Sequence, residues 1–319
     1  MKTQDFQAFV AELGDLSESQ RQVVVAALKG KRSAGDAIRL IERQFEADPS
    51  CGHCGKRSFG SWGTSGNGFK RYKCKCCGKT FTALTGTPLS GLHKRDRWVE
   101  YARALVDGVS LRKAAKRCRI DLGTSFRWRH RFLTKPKGVK AKSVKGIVEA
   151  DETFFRKSAK GSRKLVGRAP RKRGEKAKPG LSTDDYAPVL IVRDRHGKTT
   201  DQKLPDLETG TISACLAPVV DRDALLVSDG RGAYSAFAAE HGLLHIAIVA
   251  AQGQHVYEGF HIQNVNNYTG RLKGWLRRFN GVATDYLDSY LGWWRMIDRD
   301  GDRLTATRML AMASGYAAT

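Results

Sequence analysis

The sequence predicts an α+β chain of several domains: N-terminal helices, a four-cysteine zinc ribbon, a helix-turn-helix and then an α/β domain. Three observations carry this. Two C-x-x-C pairs, Cys51/Cys54 and Cys74/Cys77, are separated by a short basic and aromatic stretch. Three helical patterns follow between residues 94 and 134. From Gly146 onward, apolar-alternating runs alternate with amphipathic ones, and two of those runs end in an acid, at Asp151 and Asp229.

The 319 residues suffice for two or three domains with a real core. Lys and Arg number 56 against 32 Asp and Glu, a formal charge of +24, which favours a polyanionic partner. That charge is uneven. Residues 1–50 carry 7 basic and 8 acidic side chains, residues 51–150 carry 24 and 5, residues 151–200 carry 14 and 6, and the remainder 11 and 13. The basic surface therefore belongs to the middle of the chain, ahead of a nearly neutral C-terminal half. No apolar run is long enough to cross a membrane, and the first ten residues lack an apolar signal region. A cytoplasmic, nucleoid-associated protein without a membrane partner is the expectation, and its seven cysteines then read as metal ligands or free thiols.

In chain order, residues 1–47 read as a module of short amphipathic helices. Ser17-Glu18-Ser19-Gln20 has capping-box spacing, and Ala37, Ile38, Leu40, Ile41 and Phe45 form a second stripe. Residues 48–93 are the ribbon. Four thiolates at Cys51, Cys54, Cys74 and Cys77 complete a tetrahedral zinc shell with no open position, so the predicted role is structural. Gly55 and Gly78 follow the two pairs, as tight knuckles require. Basic residues such as Lys73 and Lys75, interleaved with aromatics, suit DNA contact.

Residues 94–134 divide into helices over 96–106, 111–118 and 125–133, with Ser110 as an N-cap and 120–123 as the turn. Ala114, Ala115, Ile120, Phe126 and Phe132 are the expected core, and Arg127, Arg129 and Arg131 would face a major groove. Residues 135–145 read as a linker, 146–298 as the α/β domain and 299–319 as a C-terminal tail. Strands are expected near 146–155, 186–194, 198–204, 224–229 and 244–249, and helices near 208–220, 232–241 and 261–279. Residues 156–178 interrupt this domain with 11 Lys or Arg and the single acid Glu175. That loop, including Arg171, Lys172 and Arg173, would touch phosphate backbone.

Asp151 and Asp229 at strand ends, with Asn266 on a helix, offer oxygen ligands for divalent metal. Lys273 lies seven residues after Asn266, about two turns on along one helix face. Asp151 would bridge two ions, Asp229 hold one, Asn266 complete the second, and Lys273 contact a phosphate. Glu258 is the runner-up third ligand, without a basic residue seven positions on, and His261 is a candidate for a supporting role.

These residues resemble the bacterial insertion-sequence transposases of the DDE class, in the subgroup with an N-terminal zinc ribbon and Asn at the third catalytic position. Val148-Glu149-Ala150-Asp151-Glu152 matches the first motif, Val227-Ser228-Asp229-Gly230 the second, and His261-Ile262-Gln263-Asn264-Val265-Asn266 with Lys273 the third. The resemblance implies a ribonuclease-H-like catalytic domain, Mg²⁺ or Mn²⁺ (two per active site) and one structural Zn²⁺. It further implies cleavage at the ends of the element, joining of the 3′ ends to target DNA, and a homo-oligomer acting on double-stranded DNA. Asn266 departs from the commoner Glu, and a neutral amide is a weaker ligand for a hard metal than a carboxylate. Two rivals stay open: a transposase-derived DNA-binding regulator without cleavage, and a hydrolase of RNA–DNA hybrids or junctions.

Overall fold

In the computed structural model of the chain, residues 3–162, 165 and 185–316 are described. They divide into two compact bodies. One holds the described residues of Met1–Lys135 and Leu304–Thr319, the other Pro136–Arg303. None of the described helices is long and apolar enough to cross a membrane.

The first body opens with α1 (Thr3–Glu12) and α2 (Glu18–Ala47). The capping box forms: Ser17 Oγ accepts the Gln20 N–H at 3.3 Å, and Gln20 Oε1 accepts the Ser17 N–H at 2.8 Å. Where short helices were expected, α2 runs unbroken for 30 residues, through Gly30 and Gly35. Each glycine costs such a helix about 1 kcal/mol. Burial at its far end offsets that cost: Ala37, Ile41 and Phe45, four residues apart, form one buried stripe.

That stripe supplies what the ribbon lacks. Strands β1 (Phe59–Thr64), β2 (Lys70–Cys74) and β3 (Thr80–Phe81) make an antiparallel sheet in that order. The Phe45 ring lies 6.1 Å from Phe59, 5.2 Å from Tyr72 and 6.2 Å from Phe81. A sheet this small cannot enclose a core by itself, so it borrows one from α2.

Three helices follow, α3 (Trp98–Val106), α4 (Leu111–Cys118) and α5 (Leu122–Gly138). Ser110 caps α4 as expected, accepting the Lys113 N–H at 3.4 Å. Helix α5 begins earlier than Ser125, because Asp121 Oδ1 accepts the N–H groups of Gly123 at 2.7 Å and Thr124 at 3.2 Å. Leu122 and Gly123 of the supposed turn thus belong to its first turn, and its last turn occupies the start of the supposed linker. Ala114, Ala115, Ile120 and Phe132 are buried as expected, but Phe126 is 38 % exposed. Trp98, Tyr101 and Trp128 fill its place, with Tyr101 5.2 Å from Trp128 and 5.3 Å from Phe132. Trp128 and Phe132, four residues apart on α5, face inward together, and Phe126 falls on another side. The supposed C-terminal tail contains a helix, Ala306–Ser314, capped by Thr305 and burying Met309 and Leu310 in this body.

The second body is built on a five-stranded sheet. Its strands are β4 (Ile147–Arg156), β5 (Tyr186–Asp194), β6 (Thr199–Lys203), β7 (Leu225–Ser228) and β8 (Leu244–Ala247), in spatial order β6-β5-β4-β7-β8. The first three are antiparallel neighbours, while β7 and β8 run parallel to β4. Helices α6 (Thr209–Leu216), α7 (Gly232–His241), α8 (Gln263–Arg277) and α9 (Leu287–Asp300) complete it. Every expected strand and helix of this region is present, with ends moved by a few residues. The β5–β6 turn forms at His196-Gly197-Lys198, with Gly197 at φ +83° and Asp194 Oδ1 accepting from His196 and Lys198. Val148, Ala150, Leu190, Val192 and Leu226 of the sheet pack with Ile212, Leu216, Tyr234 and Phe237 of the helices.

Candidate active site and metal centres

The four ribbon cysteines converge. Their sulfur atoms all lie within 4.8 Å of one another, with Cys51 Sγ 3.8 Å from Cys77 Sγ and Cys54 Sγ 3.6 Å from Cys74 Sγ. A tetrahedron of thiolates about 2.3 Å from zinc has edges of about 3.8 Å. The cluster therefore fits that ion. Its two knuckles repeat one pattern: Gly55 N–H to Cys51 O at 2.8 Å and Gly78 N–H to Cys74 O at 3.0 Å, with both glycines at positive φ. Cys76 and His53 stay outside the cluster, and His53 Nε2 lies 3.2 Å from Thr80 O.

The first knuckle rests against the loop after β3. A Cβ on Gly52 would sit 2.2 Å from Thr85 O, and one on Gly86 would sit 2.7 Å from Gly52 O. Both contacts are to backbone, which cannot swing aside. Gly52→Ala is therefore expected to destabilise the first body by about 1–3 kcal/mol, as overpacking does, read from the urea midpoint of the zinc-loaded protein. An unshifted midpoint would mean that the knuckle has room to move.

The carboxylates are brought together by strand register. Ile147, Val148 and Glu149 pair with Leu225, Leu226 and Val227 of parallel β7. Continued by two residues, this register sets Asp151 opposite Asp229. Carboxyl oxygens of Asp151, Asp229 and Glu152 lie within 4.8 Å of one another. Burial, then the nearby Asp229 and Glu152 carboxylates, push the Asp151 pKa up from 3.8 to about 6, while the Lys273 ammonium acts the other way. Lys273 is thus within electrostatic reach of Asp151, and its own pKa is lowered by desolvation. Crowded, half-buried oxygen donors fit a hard divalent cation.

Glu152 is a member of this cluster that sequence reasoning left without a role. It is buried, accepts the Tyr234 hydroxyl at 2.8 Å and lies 3.4 Å from Arg231 Nε. Desolvation raises its pKa. Its partners come from the segment after Asp229, so nothing within the Asp151-Glu152 dipeptide marks it.

Asn266 occupies the start of α8 with its side chain exposed. Glu258 is also exposed, at φ +47° in the loop before α8, and does not join the carboxylate cluster. Glu149, two residues before Asp151 and so on the same strand face, was likewise given no role. It is fully buried and accepts the Val265 N–H at 2.9 Å and Asn264 Nδ2 at 2.8 Å. Arg195 Nε stands 3.1 Å from it, and His261 Nδ1 3.6 Å. An acid between apolar Val148 and Ala150 in a strand was the available signal.

The expected DNA-contact residues fare unevenly. Arg127 is exposed on α5 and donates to Thr124 Oγ1 at 3.2 Å. Arg129 is fully buried and donates to the Val109 carbonyl at 2.7 Å, so it cannot reach a groove from this conformation. Arg131 spends its guanidinium on the carbonyls of Pro88 and Ser90. Lys73 and Lys75 are exposed, and Lys73 Nζ lies 4.5 Å from the centre of the Trp62 ring. Arg171, Lys172 and Arg173 fall outside the described residues.

Comparison with known proteins points to a transposase. Residues 143–294 match the family described as the ISXO2-like transposase domain. Over 267 residues the chain is 26 % identical to the "Uncharacterized protein in transposable element ISH50" of Halobacterium salinarum, covering 82 % of this chain and 88 % of that one. A solved structure, "Crystal structure of a pre-cleavage Mos1 transpososome", aligns with 69 % of this chain and 80 % of that one at 11 % identity. The TM-score of that alignment is 0.23. The segment that holds Asp151, Asp229, Asn266 and Lys273 matches the ISXO2-like transposase domain, and these similarities support a DDE-type insertion-sequence transposase.

Proposed function

We propose that the protein binds the terminal repeats of its insertion sequence, cuts DNA strands there and joins the freed 3′ ends to target DNA. The carrying observation is the convergence of Asp151, Asp229 and Glu152 inside a transposase domain, with Lys273 in reach of Asp151. In this reading Asp151, Asp229 and the Asn266 side-chain oxygen hold two Mg²⁺ or Mn²⁺ ions. Bound there, divalent ions activate the attacking oxygen and stabilise the leaving one. In the first step water attacks a phosphodiester and the 3′-hydroxyl leaves. In the second that hydroxyl attacks a target phosphodiester, so one bond forms as another breaks. Lys273 neutralises a phosphate and positions the strand. Glu152, held by Tyr234 and Arg231, keeps Asp151 electron-rich and in need of a cation.

DNA contact falls to the exposed Arg127 of α5, to Lys73 and Lys75 of the ribbon, and to the basic loop with Arg171, Lys172 and Arg173. One structural Zn²⁺ at Cys51, Cys54, Cys74 and Cys77 supports the ribbon. Joining two ends calls for a homo-oligomer, and action on the chromosome for the cytoplasm and nucleoid. The helix-turn-helix role of α3–α5 rests on helix order and on Arg127. Arg129 and Arg131 serve it as internal ties.

Incubating the purified protein with linear DNA bearing its element's terminal repeats and Mg²⁺ or Mn²⁺ should release nicked 3′ ends and strand-transfer products. Specific binding without cleavage in either ion would point to a DNA-binding derivative, with the neutral Asn266 as the departure from an active site. Cleavage confined to RNA–DNA hybrids would point to the third reading.

A further inference from the structure

Helix α8 begins without a cap of its own. Ile262 holds the cap position and has no side-chain acceptor, so the first-turn N–H groups of α8 need a partner from elsewhere. His261 Nδ1 accepts the Gln263 N–H at 3.2 Å, and Glu149 of β4 supplies the acceptor for Val265. Its buried carboxylate takes the Val265 N–H on one oxygen, and Asn264 Nδ2 and Arg195 Nε on the other. The charge sits at the positive end of the α8 dipole, where an anion is favoured. His261, just ahead of the helix, lies 3.1 Å through Nε2 from Arg195 Nη1 and 3.6 Å through Nδ1 from Glu149. One buried carboxylate thus clasps the β5–β6 turn, the entry to α8 and the first turn of α8. It stands on the same face of β4 as Asp151, and Val265, which it caps, directly precedes Asn266.

We propose that Glu149 is a positioning residue of the active site: it fixes the first turn of α8 against β4 and so sets Asn266 relative to Asp151. The inference rests on the reading above, in which Asn266 is a metal ligand. Without the clasp, the Val265 N–H loses its acceptor while the Gln263 N–H keeps one, on His261 Nδ1 at 3.2 Å, and a helix end short of such partners frays. A frayed turn leaves Asp151 and Asp229 in place but moves Asn266. The cost then falls on metal affinity rather than on the sheet.

Glu149→Gln keeps the shape and turns one acceptor into a donor that faces Asn264 and Arg195, which are donors themselves. In full-length protein, Mn²⁺ affinity measured by titration calorimetry should fall about tenfold, the scale of losing a group that orients a ligand. Amide exchange at Val265 and Asn266, followed by mass spectrometry, should quicken. Asn264→Asp added to Glu149→Gln restores a donor–acceptor pair with its polarity reversed, and should recover most of the lost affinity. Asn264→Asp alone sets two carboxylates together and should lose affinity. Two losses that simply add in the paired variant would overturn the clasp, because residues that merely support the fold do not rescue each other in this way. Unchanged exchange at Val265 in Glu149→Gln, or quickened exchange with unchanged Mn²⁺ affinity, would overturn it as well. If Glu149→Gln does not fold alone, the paired variant carries the test: it must fold and bind Mn²⁺. Failure of the underlying reading is distinct. There, Mn²⁺ binding by the unsubstituted protein would be absent or insensitive to Asn266→Ala, while exchange at Val265 still decides whether Glu149 holds α8.

Discussion

Asp151→Asn is expected to abolish strand cleavage and transfer, by on the order of a thousandfold or more, the scale of removing a principal charge-stabilising group from an active site. Binding to the terminal repeats should persist, because the amide keeps the shape of the side chain and Arg127, Lys73 and Lys75, proposed to contact DNA, lie on α5 and the ribbon rather than in the carboxylate cluster. The same substitution should stabilise the metal-free protein at high pH. The folded-state pKa of Asp151 is raised from 3.8 to about 6, chiefly by burial and then by Asp229 and Glu152. A carboxyl whose pKa rises on folding binds its proton more tightly in the native state. Folding stability then declines as pH rises from about 4 to about 6, and stays lower above that. The neutral amide escapes this decline. Melts in chelator should therefore coincide near pH 4 and separate above pH 6, with the variant melting higher by several degrees. Added Mn²⁺ should raise the melting temperature of the unsubstituted protein and leave the variant nearly unmoved. Retained strand transfer, or parallel melts across that pH range, would remove Asp151 from the site.

Zinc removal should have the second large effect. A structural zinc site contributes about 10–16 kcal/mol of binding free energy that is also folding free energy. The ribbon has little else: its sheet is three short strands, and its aromatic core is shared with Phe45 of α2. Stripping zinc, or replacing Cys54 by Ser, is therefore expected to collapse the near-UV circular dichroism of the Phe45, Phe59, Tyr72 and Phe81 cluster. The far end of α2 should fray with it, since its buried stripe loses its partner. Repeat binding should weaken in parallel. The carboxylate cluster lies in the second body, so Mn²⁺ affinity there should hold. Near-UV spectra unchanged after zinc is stripped would show that the fold does not depend on this site.

Read alone, the chain disclosed most of what repeats or alternates locally. The spacing of Cys51, Cys54, Cys74 and Cys77 marked the metal cluster, because a tetrahedral ion demands paired ligands on tight knuckles. Alternating apolar runs ending at Asp151 and Asp229 marked two strands, because a strand's faces alternate along its own sequence. Ser17 and Ser110 marked helix starts, because a cap acts over three residues. What lay outside local pattern was decided only in three dimensions. The pairing of β4 with β7 converts two distant acids into neighbours. Arg129 reads as a groove-facing cation in sequence, yet its charge is spent on a carbonyl in the α3–α4 connection. Glu149 and Glu152 read as ordinary strand residues, and become a helix clasp and a third carboxylate only because Val265 and Tyr234 arrive from far along the chain. A buried charge is tolerated only where partners meet it, and those partners are chosen by tertiary packing rather than by sequence neighbourhood. Element type and ligand spacing were therefore determined by the sequence itself, while the assignment of buried polar groups was left to the fold.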